Sequence, residues 1–307
     1  MTLPDFLIIG AQKAGTTALY RYLSRHPEIY MSPIKEPHFF AFEGREPDYR
    51  GPRDAEILRH MVVSDPGEYR ALFDEASGER ALGEASAMYL YLPGTAERIK
   101  RHVPEVRLIA VLRDPAERAY SAFTHMVRDG REPEPDFARA LELEEERIRL
   151  SWGPIWHYRR AGYYHEQLSR YYALFDPAQI RVYLYEDLDR DASGTLRDIF
   201  GFLGVDENHA VDTSGRYNVS GVPRSRTLHA LHDFLLRPNR FKAALRPLFP
   251  KRLRRRLVEG ALERIRSRNL EKPPFPPEVR RDLVAGYRED ILRLEELIGR
   301  DLSGWLR

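Results

Sequence analysis

The chain has 307 residues, 42% of them hydrophobic and 11% aromatic, which excludes a disordered chain and fits one large α/β domain or two smaller ones. It has no cysteine, so disulfides, thiol nucleophiles, thiolate metal sites and iron–sulfur clusters are excluded, and a reducing compartment suits it. The formal net charge is only +2, but twelve Lys/Arg lie between Arg237 and Arg268 against Glu259 and Glu263, leaving the remainder net acidic.

The longest apolar runs, Phe6 to Ile9 and Leu108 to Leu112, fall far short of the ~20 residues a bilayer needs. The N-terminus carries no basic region before its first strand-like run, so the expected location is the cytoplasm. Asp5 to Gly10 reads as a short buried strand, followed by a Gly/Thr turn and a helix from about Thr16 to Arg25. Ser32 to Asp54, rich in Pro and charge but interrupted by aromatics, reads as ordered loop. Arg80 to Glu84 is a candidate second strand, and Pro93 to His102 a helix with Pro near its first turn.

Arg107 to Leu112 is the clearest strand and runs into Asp114-Pro115, a cap and first-turn pair for a helix reaching about Val127. Phe137 to Leu150 and Tyr164 to Phe175 follow as helices, Ile180 to Tyr185 as a strand, and Leu196 to Leu203 as a helix ending at Gly204. Strands separated by helices predict an α/β, three-layer fold with a central parallel sheet flanked by helices. After Pro223 the chain reads as a helical, basic extension, giving one domain over 1–307 with its core at about 5–225. The basic stretch 237–268 reads either as a solvated helical face or as a weak, salt-sensitive contact with an anionic surface.

The most informative segment is Gly10-Ala-Gln-Lys13-Ala14-Gly15-Thr16-Thr17. A strand passing through small residues into a helix aims free backbone N–H groups at one place, and the helix dipole adds partial positive charge there. A Walker A loop has this P-loop architecture but needs Lys directly after the second Gly, where this chain has Thr16. The lysine, Lys13, lies inside the loop instead. Such a loop suits a phosphate held by Lys13, the amides and the hydroxyls of Thr16 and Thr17; the alternative is an ordinary glycine turn.

These residues, with others in order along the chain, resemble sulfotransferases that use 3′-phosphoadenosine 5′-phosphosulfate (PAPS), in their heparan-sulfate-type and bacterial branches. Gly10 to Thr17 is similar to their 5′-phosphosulfate loop, and Arg107 to Ser121 to their 3′-phosphate segment. Lys35-Glu36-Pro-His38-Phe-Phe40, Gly83-Glu84-Ala-Ser86 and Tyr185-Glu-Asp-Leu188 complete the pattern, which covers roughly residues 5 to 225. The resemblance implies PAPS as co-substrate, held by Lys13, Ala14, Gly15, Thr16, Thr17, Arg113 and Ser121, with Arg224 in a loop closing over the nucleotide; no metal-ligand spacing is present in the sequence, so no metal is expected. It implies Glu36 as general base, with His38 and His125 as runners-up, and Lys13 stabilising the leaving phosphate. Arg118 is expected at the surface. The heparan-sulfate enzymes carry a lysine after the second-strand glutamate, but here Glu84 precedes Ala85, so no such lysine role carries over.

The expected partner is a small-molecule or glycan acceptor and not nucleic acid; the oligomeric state is left open. Trp152, Trp156, His157, Tyr158, Tyr163 and Tyr164 read either as an acceptor-binding cluster beside Arg159 and Arg160 or as core packing. The alternatives are a P-loop kinase or nucleotide hydrolase with a shifted lysine, and a non-catalytic protein binding nucleotides or anionic glycans.

Overall fold

The computed structural model describes residues 3–215, 222–223, 270–271 and 273–307. Five strands, β1 (Phe6–Gly10), β2 (Ile29–Met31), β3 (Ala81–Ala85), β4 (Arg107–Leu112) and β5 (Ile180–Leu184), form a parallel sheet in the order β2-β3-β1-β4-β5. β1 is buried throughout and β4 almost so, because a parallel sheet covered on both faces needs continuous apolar runs rather than alternation. Phe6 lies opposite Gly83 in the register, and its ring occupies the space that a side chain at Gly83 would need: a Cβ there would fall 2.2 Å from the ring.

Helices fill the crossovers. α1 (Thr16–Leu23) follows β1; α2 (Phe39–Phe42), α3 (Asp54–Arg59) and α4 (Pro66–Ala71) lie between β2 and β3; α5 (Thr95–His102) leads to β4. α6 (Pro115–Arg128) leaves β4, its start fixed by Asp114, whose Oδ1 accepts from the amides of Ala116 at 2.8 Å and Glu117 at 3.1 Å. Beyond it come α7 (Phe137–Glu142), α8 (Glu144–Arg149), α9 (Tyr164–Tyr172), α10 (Tyr185–Arg190) and α11 (Ala192–Leu203), the last ending at Gly204 with φ 74°.

Three expectations are corrected. The stretch read as loop from Ser32 to Asp54 contains α2, and the single helix read over 137–150 breaks at Leu143 into α7 and α8. Arg118 is buried at 1% exposure, on the inner face of α6, and donates to the backbone carbonyls of Tyr158 and His157. Of the aromatic cluster, Trp156, Tyr158 and Tyr164 are fully buried core residues rather than a surface for an acceptor.

The C-terminal helix, Pro277–Ile298, buries Val279, Leu283, Tyr287, Ile291 and Leu294 along one stripe, each apolar side chain contributing about 1.5–3 kcal/mol. It packs on α9 and α6: Tyr287 donates to the Arg159 carbonyl at 2.8 Å, and Arg280 pairs with Asp114 at 3.0 Å. Arg224 and the basic stretch 237–268 lie outside the described residues.

Candidate functional site

The segments that follow the strands meet around one cleft of about 960 Å³, as an α/β sheet favours outside the carboxyl ends of its strands. From β1 come Lys13, Gly15, Thr16 and Thr17; from β4 and α6 come Arg113, Ser121 and His125; Glu36 and His38 enter from the segment before α2. The two anchors expected to grip one ligand therefore share a cavity. They also touch, because an Arg113 guanidinium N–H donates to the Lys13 carbonyl at 3.4 Å. Ala14 is the exception and corrects the expectation that it lines the site: it is fully buried, and its amide turns back to the Ala11 carbonyl at 3.2 Å.

Gly15 opens α1 with φ 97°, a left-handed conformation that glycine adopts freely, and no side chain caps the helix. The first-turn amides thus keep their capacity to hold an anion. Lys13 stands beside them, its pKa lowered to about 7 by burial in the cleft and then by the charges of Arg128 and Arg113. The residues fit a doubly anionic ligand: uncapped amides, a destabilised cation, and a planar guanidinium. Arg113 also meets Glu117 at 3.2 Å and lies 4.9 Å from the Tyr185 ring centre.

The segment carrying Glu36 is held by β3. The Glu36 amide donates to the Ala85 carbonyl at 2.9 Å, and the His38 amide donates to Ser86 Oγ at 3.0 Å. Ser86 in turn donates to Glu84 Oε2 at 2.8 Å, which fixes the hydroxyl so that its lone pair faces His38. Those bonds sustain left-handed backbone at two non-glycine residues, Glu36 (φ 67°) and His38 (φ 53°). Glu84 is fully buried; burial raises its carboxyl to about 7 against the hydrogen bonds from Tyr89, Ser86 and Tyr69.

Burial pushes the Glu36 carboxyl up, but Lys35 and His38 outweigh it and hold the group well below the usual carboxylate range. Lys35 donates to Oε1 at 2.7 Å, and His38 Nε2 lies 3.2 Å from Oε2. His125 is different. Burial and then Lys13 push its pKa down to about 3, and Nδ1 accepts from Arg128, so its proton sits on Nε2, 3.6 Å from Asp129.

The hold of Ser86 on the His38 amide and the place of residues 213–215 in the cleft lining are not legible in the sequence. Residues 213–215 are tied to α1 by Tyr22, whose hydroxyl lies 3.2 Å from the carbonyls of Thr213 and Gly215.

The chain is also similar to known proteins. A crystal structure of a sulfotransferase from Alicyclobacillus acidocaldarius matches over the whole of both chains, with a TM-score of 0.77 and 36% identity. Bifunctional heparan sulfate N-deacetylase/N-sulfotransferase 4 of Mus musculus is 30% identical over 215 residues, covering 66% of this chain. Carbohydrate sulfotransferase 15 of Homo sapiens is 26% identical over 279 residues, covering 74% of this chain and 49% of that protein. The chain spans about a fifth of the length of the heparan sulfate relative. These matches do not favour the kinase and binding-protein alternatives. The sequence model described as "Sulfotransferase family" matches residues 4–209, a stretch that holds Lys13, Glu36 and Arg113 together, and the chain belongs to that family.

Proposed function

We propose that the protein transfers a sulfuryl group from PAPS to the hydroxyl of an acceptor, and that residues 1–307 act as one domain in doing so. The observation that supports this is the meeting of Lys13 with Arg113 and Ser121 in one cleft, as a single donor with phosphates at both its 5′ and 3′ positions requires. Arg113 and Ser121 take the 3′-phosphate; Lys13 and the amides of Gly15, Thr16 and Thr17 take the 5′ end.

In the reaction the acceptor oxygen forms a bond to sulfur while the bond from sulfur to the phosphate oxygen breaks. The acceptor's proton passes to Glu36, and adenosine 3′,5′-bisphosphate leaves with its new charge against Lys13. Glu36 is ionised throughout the neutral range, because Lys35 and His38 hold its proton affinity low. A weak base suffices here, since the hydroxyl proton becomes strongly acidic as the bond to sulfur forms. His125 serves as a neutral wall instead, its Nδ1 lone pair taken by Arg128.

Calorimetry tests the donor assignment. Adenosine 3′,5′-bisphosphate is expected to bind and Mg-ATP to bind far more weakly, with Arg113→Ala losing roughly tenfold to a hundredfold for the bisphosphate. Tight ATP binding with none for the bisphosphate overturns the proposal. The support of the base is tested separately: Ser86→Ala removes the acceptor for the His38 amide and is expected to lower kcat about tenfold through misplacement of Glu36. Nucleotide affinity should stay unchanged in that variant, and an unaltered kcat would show that Ser86 does not position the base.

A further inference from the structure

Half of the cleft is unlike the half that grips phosphate. Its wall comes from Ile57, Leu58 and Met61, from Met88, from Met126 next to His125, and from Ile155. Two ties bring this wall beside the base. Asp54, at the start of α3, accepts from the Gly153 amide at 2.8 Å and Trp156 Nε1 at 3.0 Å, pinning the turn that carries Ile155. At the other end the Val63 amide donates to the Pro37 carbonyl at 2.9 Å, one residue from Glu36. Ile57, Met61 and Ile155 remain partly open to the cavity although they sit in a concave site. Apolar side chains left open in a concavity mark the footprint of an apolar ligand.

Charge points the same way. Among the described residues lining this half, the cation is Arg131, and it is spent internally. It pairs with Asp54 with both side chains buried, donates to the Pro52 carbonyl at 2.9 Å and lies 5.2 Å over the Trp156 ring. A carboxylate-bearing or sulfated sugar chain laid here would lose its hydration against methionine and isoleucine, with no uncommitted countercharge among the described residues of this wall in return. A hydrocarbon body would gain by the same burial.

We propose that the acceptor is an uncharged alcohol whose hydrocarbon body lies on this wall with its hydroxyl at Glu36, rather than an anionic glycan. The inference rests on the sulfotransferase reading and narrows its acceptor. It is tested on the full chain with PAPS, using straight-chain primary alcohols from butanol to octanol and, against them, an unsulfated carboxylate-bearing glycosaminoglycan. The kcat/KM is expected to rise about fourfold for each added CH₂, with no turnover of the glycosaminoglycan. Met61→Glu is expected to lower kcat/KM for octanol by about tenfold or more while the Kd for adenosine 3′,5′-bisphosphate holds, and Met61→Leu to retain it. Bisphosphate binding together with a flat chain-length series, or with preferred turnover of the glycosaminoglycan, overturns this inference and leaves the donor assignment standing. Failure of the wild-type chain to bind the bisphosphate overturns the sulfotransferase reading itself.

Discussion

Adenosine 3′,5′-bisphosphate is expected to bind about tenfold more weakly for each pH unit above 7, and Lys13→Met to erase that slope. The sign follows from where Lys13 holds its proton. In the free protein it is charged below about pH 7 and neutral above, because burial and then Arg128 disfavour the cation, whereas an unfolded chain keeps the proton to about 10.5. An anion in the cleft restores the charged form, so binding above pH 7 takes up one proton. Calorimetry in two buffers of different ionisation enthalpy reads that uptake directly, and an affinity constant from pH 6 to 9 would overturn the role. The same linkage makes this group's contribution to stability increase from about pH 7 toward 10.5, as the cost of charging a buried lysine disappears. Loss of the cation facing the leaving phosphate is expected to lower kcat by about 10²–10³ in the variant.

Glu36→Gln is expected to lower kcat by about 10²–10⁴ with nucleotide affinity little changed. The comparison belongs at pH 6, where Lys13 is charged in both proteins, because the Glu36 carboxylate is itself one of the charges that raise the Lys13 pKa. The acid limb of the wild-type kcat profile is expected well below pH 5, since Lys35 and His38 hold the carboxyl down. Lys35→Ala should move that limb upward. His125→Ala, by contrast, is expected to retain most activity, its ring nitrogens being committed to Arg128 and Asp129. A fully active Glu36→Gln protein would remove the base assignment.

The part of the cleft that gathers Lys13, Thr16 and Arg113 was legible because its residues are concentrated in short runs. Gly10 to Thr17 encodes a strand, a turn and a helix start within one segment, and Arg113 follows a strand too apolar to mistake. Arg118 was misplaced for the opposite reason: its partners are the carbonyls of Tyr158 and His157, some forty residues away, and no local pattern announces them. The short helices α2, α3 and α4 span four to six residues each, too few for a periodic signal. The apolar wall is hidden likewise, being contributed by segments around Ile57, Met126 and Ile155 that only the fold brings together.

The place of β1 in the middle of the sheet bears on how the molecule can breathe. Both of its edges are occupied, by β3 and β4, while β2 and β5 stand at the rims. Amide exchange should therefore proceed from the rims inward, with Leu7 and Ile8 among the last protons to leave. The lysine-bearing turn follows that central strand, whereas Met61 and Ile155 lie on segments outside the sheet. The proposed nucleotide grip is thus rooted in the centre of the sheet, and the proposed acceptor wall outside it.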